Sequence, residues 1–110
     1  MSQPTYHKWT DLPQTPMAPK IKRRLVSGEK VMVVEVTLEQ GAVVPAHHHP
    51  HEQMSHILSG RLEFEINGAK RVVMEGEIVH LPSNVPHGVV ALADSIVLDI
   101  FSPPREDFLT

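Results

Sequence analysis

Arg61 to Met74 reads RLEFEINGAKRVVM, two alternating runs that meet at Asn67-Gly68. A two-residue connection of this kind needs positive φ at both central positions, which Asn and Gly tolerate best. The stretch therefore predicts one antiparallel hairpin closed by a type I′ turn. On either side, short β-branched runs alternate with turn signals roughly every eight to twelve residues, and Ser27-Gly28, Gln40-Gly41, Ser59-Gly60 and Glu75-Gly76 mark the other joints. The expected strands are Ile21 to Val26, Val31 to Leu38, Val43 to His49, Gln53 to Leu58, Arg61 to Ile66, Arg71 to Met74, Glu77 to Leu81, Gly88 to Leu92 and Ser95 to Phe101. No stretch shows sustained helical periodicity, and there is no internal repeat or low-complexity segment. The reading is all-β: a small antiparallel barrel forming a single domain over residues 21–110.

Residues 1–20 carry Pro4, Pro13, Pro16 and Pro19, which remove backbone donors and forbid helix continuation, so this segment is expected as a Pro-rich extended N-terminal arm. The cluster Lys20, Lys22, Arg23 and Arg24 reads as a solvated strand face. At 110 residues the chain is long enough for one core and too short for two. A formal net charge of −3, with Lys and Arg dispersed, gives no footprint for nucleic acid. The expected partner is a small molecule. With no cysteine there is neither a disulfide framework nor a thiolate site, so any metal must be held by nitrogen and oxygen. The opening MSQPTYHKW lacks the apolar run of a signal peptide, and no stretch approaches a membrane span, so no membrane partner and a cytoplasmic location are expected.

Four of the eight histidines fall in GAVVPAHHHPHEQ, Gly41 to Gln53. Side chains alternate faces along a strand, so His47 and His49 are expected on one face and His48 on the other. Pro50 breaks the ladder, and the chain resumes in time to bring Gln53 back to the same face. A further imidazole is best supplied by His87, which follows Pro86 in the turn LPSNVPHG. Neutral imidazoles suit Zn, Fe, Ni, Cu and Co, and three at a barrel mouth leave coordination positions open. His48 is read as a bystander, His51 as a weaker candidate for substrate contact, His56 and His80 as structural, and His7 has no assigned role.

These residues resemble the cupin family. Gly41, five residues, His47-x-His49, three residues, Gln53, six residues, Gly60 match its first motif, with Gln53 where the family usually has Glu. Gly76, five residues, Pro82-x-Asn84, two residues, His87 match the second, with Asn84 for the usual Gly and Ala91 for the usual Asn. The resemblance implies a double-stranded β-helix, or jelly-roll barrel, holding one divalent transition metal (Zn, Ni, Fe, Mn or Co) through His47, His49, Gln53 and His87. The segment PSNVPHGVVALADSIVLDIFSPPREDFL, with PAHHHPHEQ, further resembles the KdgF-type small cupins of pectin and alginate uronate catabolism. That likeness runs from about Val26 to Leu109. It implies conversion of 4,5-unsaturated monouronates to their linear 4-deoxy-5-keto forms, and it places the functional Asp, Phe and Arg on Asp99, Phe101 and Arg105.

The chemistry of these residues agrees with that implication. Three neutral imidazoles and a carboxamide leave a divalent charge uncancelled, and opposite unit charges about 4 Å apart at an effective dielectric near 20 gain roughly 4 kcal/mol before desolvation. An anionic sugar is thus the expected ligand, with Arg105 supplying a planar fork for its carboxylate and Phe101 packing on the ring. In SIVLDIF, Ser95, Val97, Asp99 and Phe101 share one face, while Ile96, Leu98 and Ile100 share the other. A carboxylate in so apolar a strand near a cation suits proton transfer. The opposite, apolar face calls for a cover, which predicts a homodimer. Two competing readings stand beside this one: an iron-dependent dioxygenase, and a non-catalytic sugar-acid-binding cupin.

Overall fold

The computed structural model describes residues 3–110, and its ten strands form two antiparallel sheets. In chain order they are β1 (Thr15–Ala18), β2 (Ile21–Ser27), β3 (Met32–Leu38), β4 (Val43–His47), β5 (Glu52–Ser59), β6 (Arg61–Ile66), β7 (Ala69–Met74), β8 (Ile78–Leu81), β9 (His87–Ala91) and β10 (Ser95–Ser102). One sheet runs β1-β2-β3-β10-β5-β8 and the other β4-β9-β6-β7. Alternation puts every second side chain inside. Met32, Val34, Ile57, Leu62 and Leu81 are fully buried between the sheets, each removing enough apolar surface from water to contribute about 1.5–3 kcal/mol.

The hairpin from Arg61 to Met74 closes as expected. Ile66 pairs with Ala69 across a two-residue loop in which Asn67 and Gly68 have φ of 50° and 82°. Gly60, between β5 and β6, has φ 94°, and a Cβ there would strike Ser95 Oγ and lie 2.7 Å from Ser95 Cα. Only glycine fits that joint. Asn84, which stands where the second motif usually has Gly, has φ 64°, a conformation Asn tolerates better than most side chains.

Three local features depart from the expectations. Within the proline-rich segment, Trp9–Asp11 form a 3₁₀ turn and Thr15–Ala18 pairs with β2 as an edge strand, Pro16 opposite Lys22. Proline is admissible there because an edge residue need not donate on its open side. β4 ends at His47, so His49 lies beyond the ladder rather than on a shared strand face. The bend around Pro50, not strand alternation, returns His49 to the barrel. The basic cluster is only partly solvated: Arg24 Nε donates to Glu35 Oε1 at 2.7 Å, and Arg23 lies over the Phe108 ring, Cζ 4.0 Å from its centroid.

Candidate metal centre

His47 on β4 and His87 at the start of β9 are register partners across the smaller sheet. Their rings lie 4.4 Å apart, centroid to centroid. Each is tied by the same device: Nδ1 lies 2.9 Å from the carbonyl oxygen two residues earlier, that of Pro45 for His47 and of Val85 for His87. Donation from Nδ1 to a carbonyl leaves Nε2 as the lone-pair nitrogen, the state a metal ligand needs.

His49 is 8 % exposed, with its ring 5.6 Å from His47 and 5.1 Å from His87. Its Nε2 lies 3.1 Å from Gln53 Oε1, while its Nδ1 is buried without a hydrogen-bond partner. One candidate ligand atom from each of the three histidines falls within 4.8 Å of the others. Two nitrogens on one ion at 2.0–2.1 Å are about 3–4 Å apart, so a small contraction seats a divalent cation. A buried imidazole with an orphaned nitrogen, beside two oriented imidazoles and an amide oxygen, is a donor set suited to a metal. The three histidines could hold one. Burial, reinforced by the positive potential of Arg105, lowers the His49 pKa to about 4, and burial also lowers that of His87. The His49 ring therefore stays neutral, and free to ligate, in mildly acidic solution, and burial favours the neutral form of His87 as well.

Behind the histidines, β5 and β10 present facing inward pairs: Gln53 with Phe101, Ser55 with Asp99, Ile57 with Val97. Gln53 Nε2 donates to Ser55 Oγ at 3.0 Å, and Ser55 Oγ donates to Asp99 Oδ1 at 2.6 Å. Burial raises the Asp99 pKa to about 6, opposed by the hydrogen bonds from Ser55 and Gln53 and by the charge of Arg105. Arg105 precedes a 3₁₀ turn, Glu106–Phe108. Its Nε and Nη2 grip Asp107 at 3.0 and 2.9 Å, and its guanidinium lies 4.4 Å from the Phe108 centroid and 5.2 Å from that of Phe101. The pair holds the Asp107 carboxyl below the usual carboxylate range. Asp107 uses two of the five guanidinium N–H groups, which leaves three for a ligand.

These groups surround a cavity of about 270 Å³ whose wall includes His47, His87, Gln53, Asp99, Phe101 and Arg105. Ligand pockets of roughly 300–1,000 Å³ accept drug-sized molecules, so this one suits a single small ring. All seven residues singled out in the sequence, His47, His49, Gln53, His87, Asp99, Phe101 and Arg105, meet at this end of the barrel. His48 is exposed, and His51 lines a separate outer groove. His56 lies on β5 in the outward alternation, and His80 pairs with Glu52 at 2.7 Å. The sequence reading missed Met17 and Ala18 of β1, Ser55 and Phe108, which also line the cavity. Only Ser55 carried a usable signal, its inward phase in Gln53-x-Ser55-x-Ile57.

Two facing antiparallel sheets with a histidine cluster at one end define a cupin, and residues 34–101 match the Cupin domain family. Over 92 residues the chain is 37 % identical to the pectin degradation protein KdgF of Dickeya dadantii (strain 3937), covering 81 % of this chain and 84 % of that protein. The chain thus belongs to the cupins and, among them, to the KdgF-type small cupins. The structure of KdgF from Halomonas sp. superposes with a TM-score of 0.92 at 32 % identity, covering 96 % of this chain and 99 % of that one. An RmlC-like cupin from Shewanella frigidimarina gives 0.91 at 27 % identity, covering 96 % of each chain. Among the described residues no helix is long and apolar enough to cross a membrane.

Proposed function

We propose that this protein is a metal-dependent isomerase that opens the ring of 4,5-unsaturated monouronates, yielding linear 4-deoxy-5-keto uronates. The observation that carries the reading is the placement of Asp99, a carboxyl with a pKa of about 6, in the same small cavity as the histidine cluster and the Arg105 fork. Kinship with a pectin degradation protein supports uronates as the substrate class.

The reaction is internal and needs no co-reactant. A proton leaves the C1 hydroxyl as the bond from C1 to the ring oxygen breaks, giving an aldehyde at C1. The electrons pass to the former ring oxygen as a C5 enolate, and C4 then takes a proton to leave a ketone at C5. Arg105 binds the substrate carboxylate through the N–H groups Asp107 leaves free, and Phe101 packs against the ring. Asp99 accepts and returns protons, a role its raised pKa suits because both protonation states are accessible near neutrality. His47, His49, His87 and Gln53 would hold a divalent ion, which when bound supplies Lewis-acid stabilisation of the developing oxygen charge. Zn, Ni, Fe, Mn and Co all suit this nitrogen and oxygen donor set. The small cavity, whose wall includes Phe108, has room for a monosaccharide rather than a polymer.

The outer face of β10, with Ile96, Leu98 and Ile100 half-buried beside exposed Met54 and Ile78, is in this reading covered by a second copy in a cytoplasmic homodimer. The functional test follows the enol-ether chromophore of an unsaturated monouronate with protein, with protein treated with a chelator, and without protein. Loss well above the spontaneous rate that is abolished by the chelator and restored by metal is expected. A rate equal to the protein-free control would reject the activity.

A further inference from the structure

Ser55 belongs to none of the motifs, yet it is 1 % exposed and its hydroxyl is hydrogen-bonded to both Gln53 and Asp99. A serine hydroxyl has one proton to give and two lone pairs to receive with. Gln53 Nε2 donates into one lone pair at 3.0 Å, so the single proton is directed to Asp99 Oδ1. The 2.6 Å separation is that of an O–H donating to a carboxylate. Turning the Gln53 amide over would break this order. Its oxygen would then compete for the serine proton, the contact of Ser55 with an ionised Asp99 would be two oxygens without a hydrogen, and Oε1 would face away from His49, which it meets at 3.1 Å.

We propose that Ser55 is a positioning residue: through this one-way chain it fixes the amide orientation that aims Gln53 Oε1 at the histidine cluster and the carboxylate orientation that aims Asp99 at the substrate. The proposal rests on the reading above for the roles of Gln53 and Asp99. It also explains the unusual motif residue. A Glu at position 53 has no N–H to give, so it would draw the serine proton to itself and release Asp99. Here glutamine is required by its nitrogen as much as by its oxygen.

Three variants test this. Ser55→Ala removes the hydroxyl with almost no change of volume, and Ser55→Thr restores it with a methyl that has the cavity to occupy. Gln53→Glu removes the donor. Partners that orient a ligand or a reacting group typically matter by about 10- to 100-fold. Ser55→Ala should lower kcat by about that factor with KM nearly unchanged and metal content retained, and Ser55→Thr should recover most of it. Gln53→Glu should cost a similar factor in kcat, and the double variant should be no worse than the poorer single. In protein without added metal, the Gln53 side-chain amide resonance, identified by its absence in Gln53→Glu, should move and exchange faster with solvent in Ser55→Ala, and return in Ser55→Thr. Unchanged kcat in Ser55→Ala, or an unmoved amide resonance, would overturn the proposal. A wild-type protein without turnover would overturn the functional reading instead, and the amide resonance would then decide on Ser55 alone.

Discussion

The two ends of the β5–β10 pairing are built from the same two strands in one continuous register, yet they serve opposite purposes. At the closed end Ile57 faces Val97, and both are buried among apolar neighbours. Two residues along, Ser55 faces Asp99, and two further Gln53 faces Phe101. Within this short distance the wall turns from packing that stabilises to polar groups whose burial is costly unless each is satisfied. The closed end makes the open end possible. Its apolar packing anchors the strands that carry the buried Asp99 carboxyl and Gln53 to the histidine cluster.

Substitutions at each end should therefore separate stability from activity. Asp99→Ala should lower kcat by about 10²–10⁴-fold, the range a positioned acid–base group supplies, while circular dichroism and metal content stay as in the parent. Retained turnover would remove Asp99 from the chemistry. Ile57→Ala should do the reverse, costing about 2–5 kcal/mol in denaturant unfolding while any protein still folded turns over at a near-normal kcat. A loss of kcat without a loss of stability would show that the closed end also shapes the site.

Much of this contrast was legible in the sequence. Asn67-Gly68 announced the hairpin because few other pairs accept positive φ twice, and the spacing from Gly41 to Gly60 and from Gly76 to His87 marked the site. Alternation along SIVLDIF put Asp99 inside. What escaped lay outside regular alternation or depended on distant partners. β1 was masked by prolines that an edge strand tolerates. His49 was expected on a strand face and instead arrives by the bend at Pro50. Phe108 gains its place between Arg23 and Arg105, 85 residues from the first of these, a stacking no local pattern encodes.

The buried carboxyl should also make stability depend on pH. Because burial raises the Asp99 pKa from its usual 3.8 to about 6, the folded protein holds this proton more tightly than the unfolded chain. Stability from this group is present at low pH and is lost as pH rises through 4 to 6. Asp99→Asn, which carries no charge to bury, should be about 1–3 kcal/mol more stable than the parent at pH 7, with the gain vanishing near pH 4. An equal gain at both pH values would assign the effect to packing. His49 acts in the opposite direction: with its pKa lowered to about 4, metal-free protein should lose stability as pH falls from 6.5 towards 4.

The smallest effect belongs to the rim. Arg105→Ala should raise KM about tenfold and change kcat little, since the guanidinium binds substrate and transition state alike. An unchanged KM would contradict the carboxylate clamp.

The proposed activity requires three imidazoles and one amide oxygen to gather on a single ion. X-ray absorption spectroscopy of protein loaded with one equivalent of zinc reads that directly. The expected spectrum shows three imidazole rings from His47, His49 and His87 and at least one oxygen, all at about 2.0–2.2 Å. A spectrum with one imidazole or none, or one unchanged in His47→Ala, would contradict it.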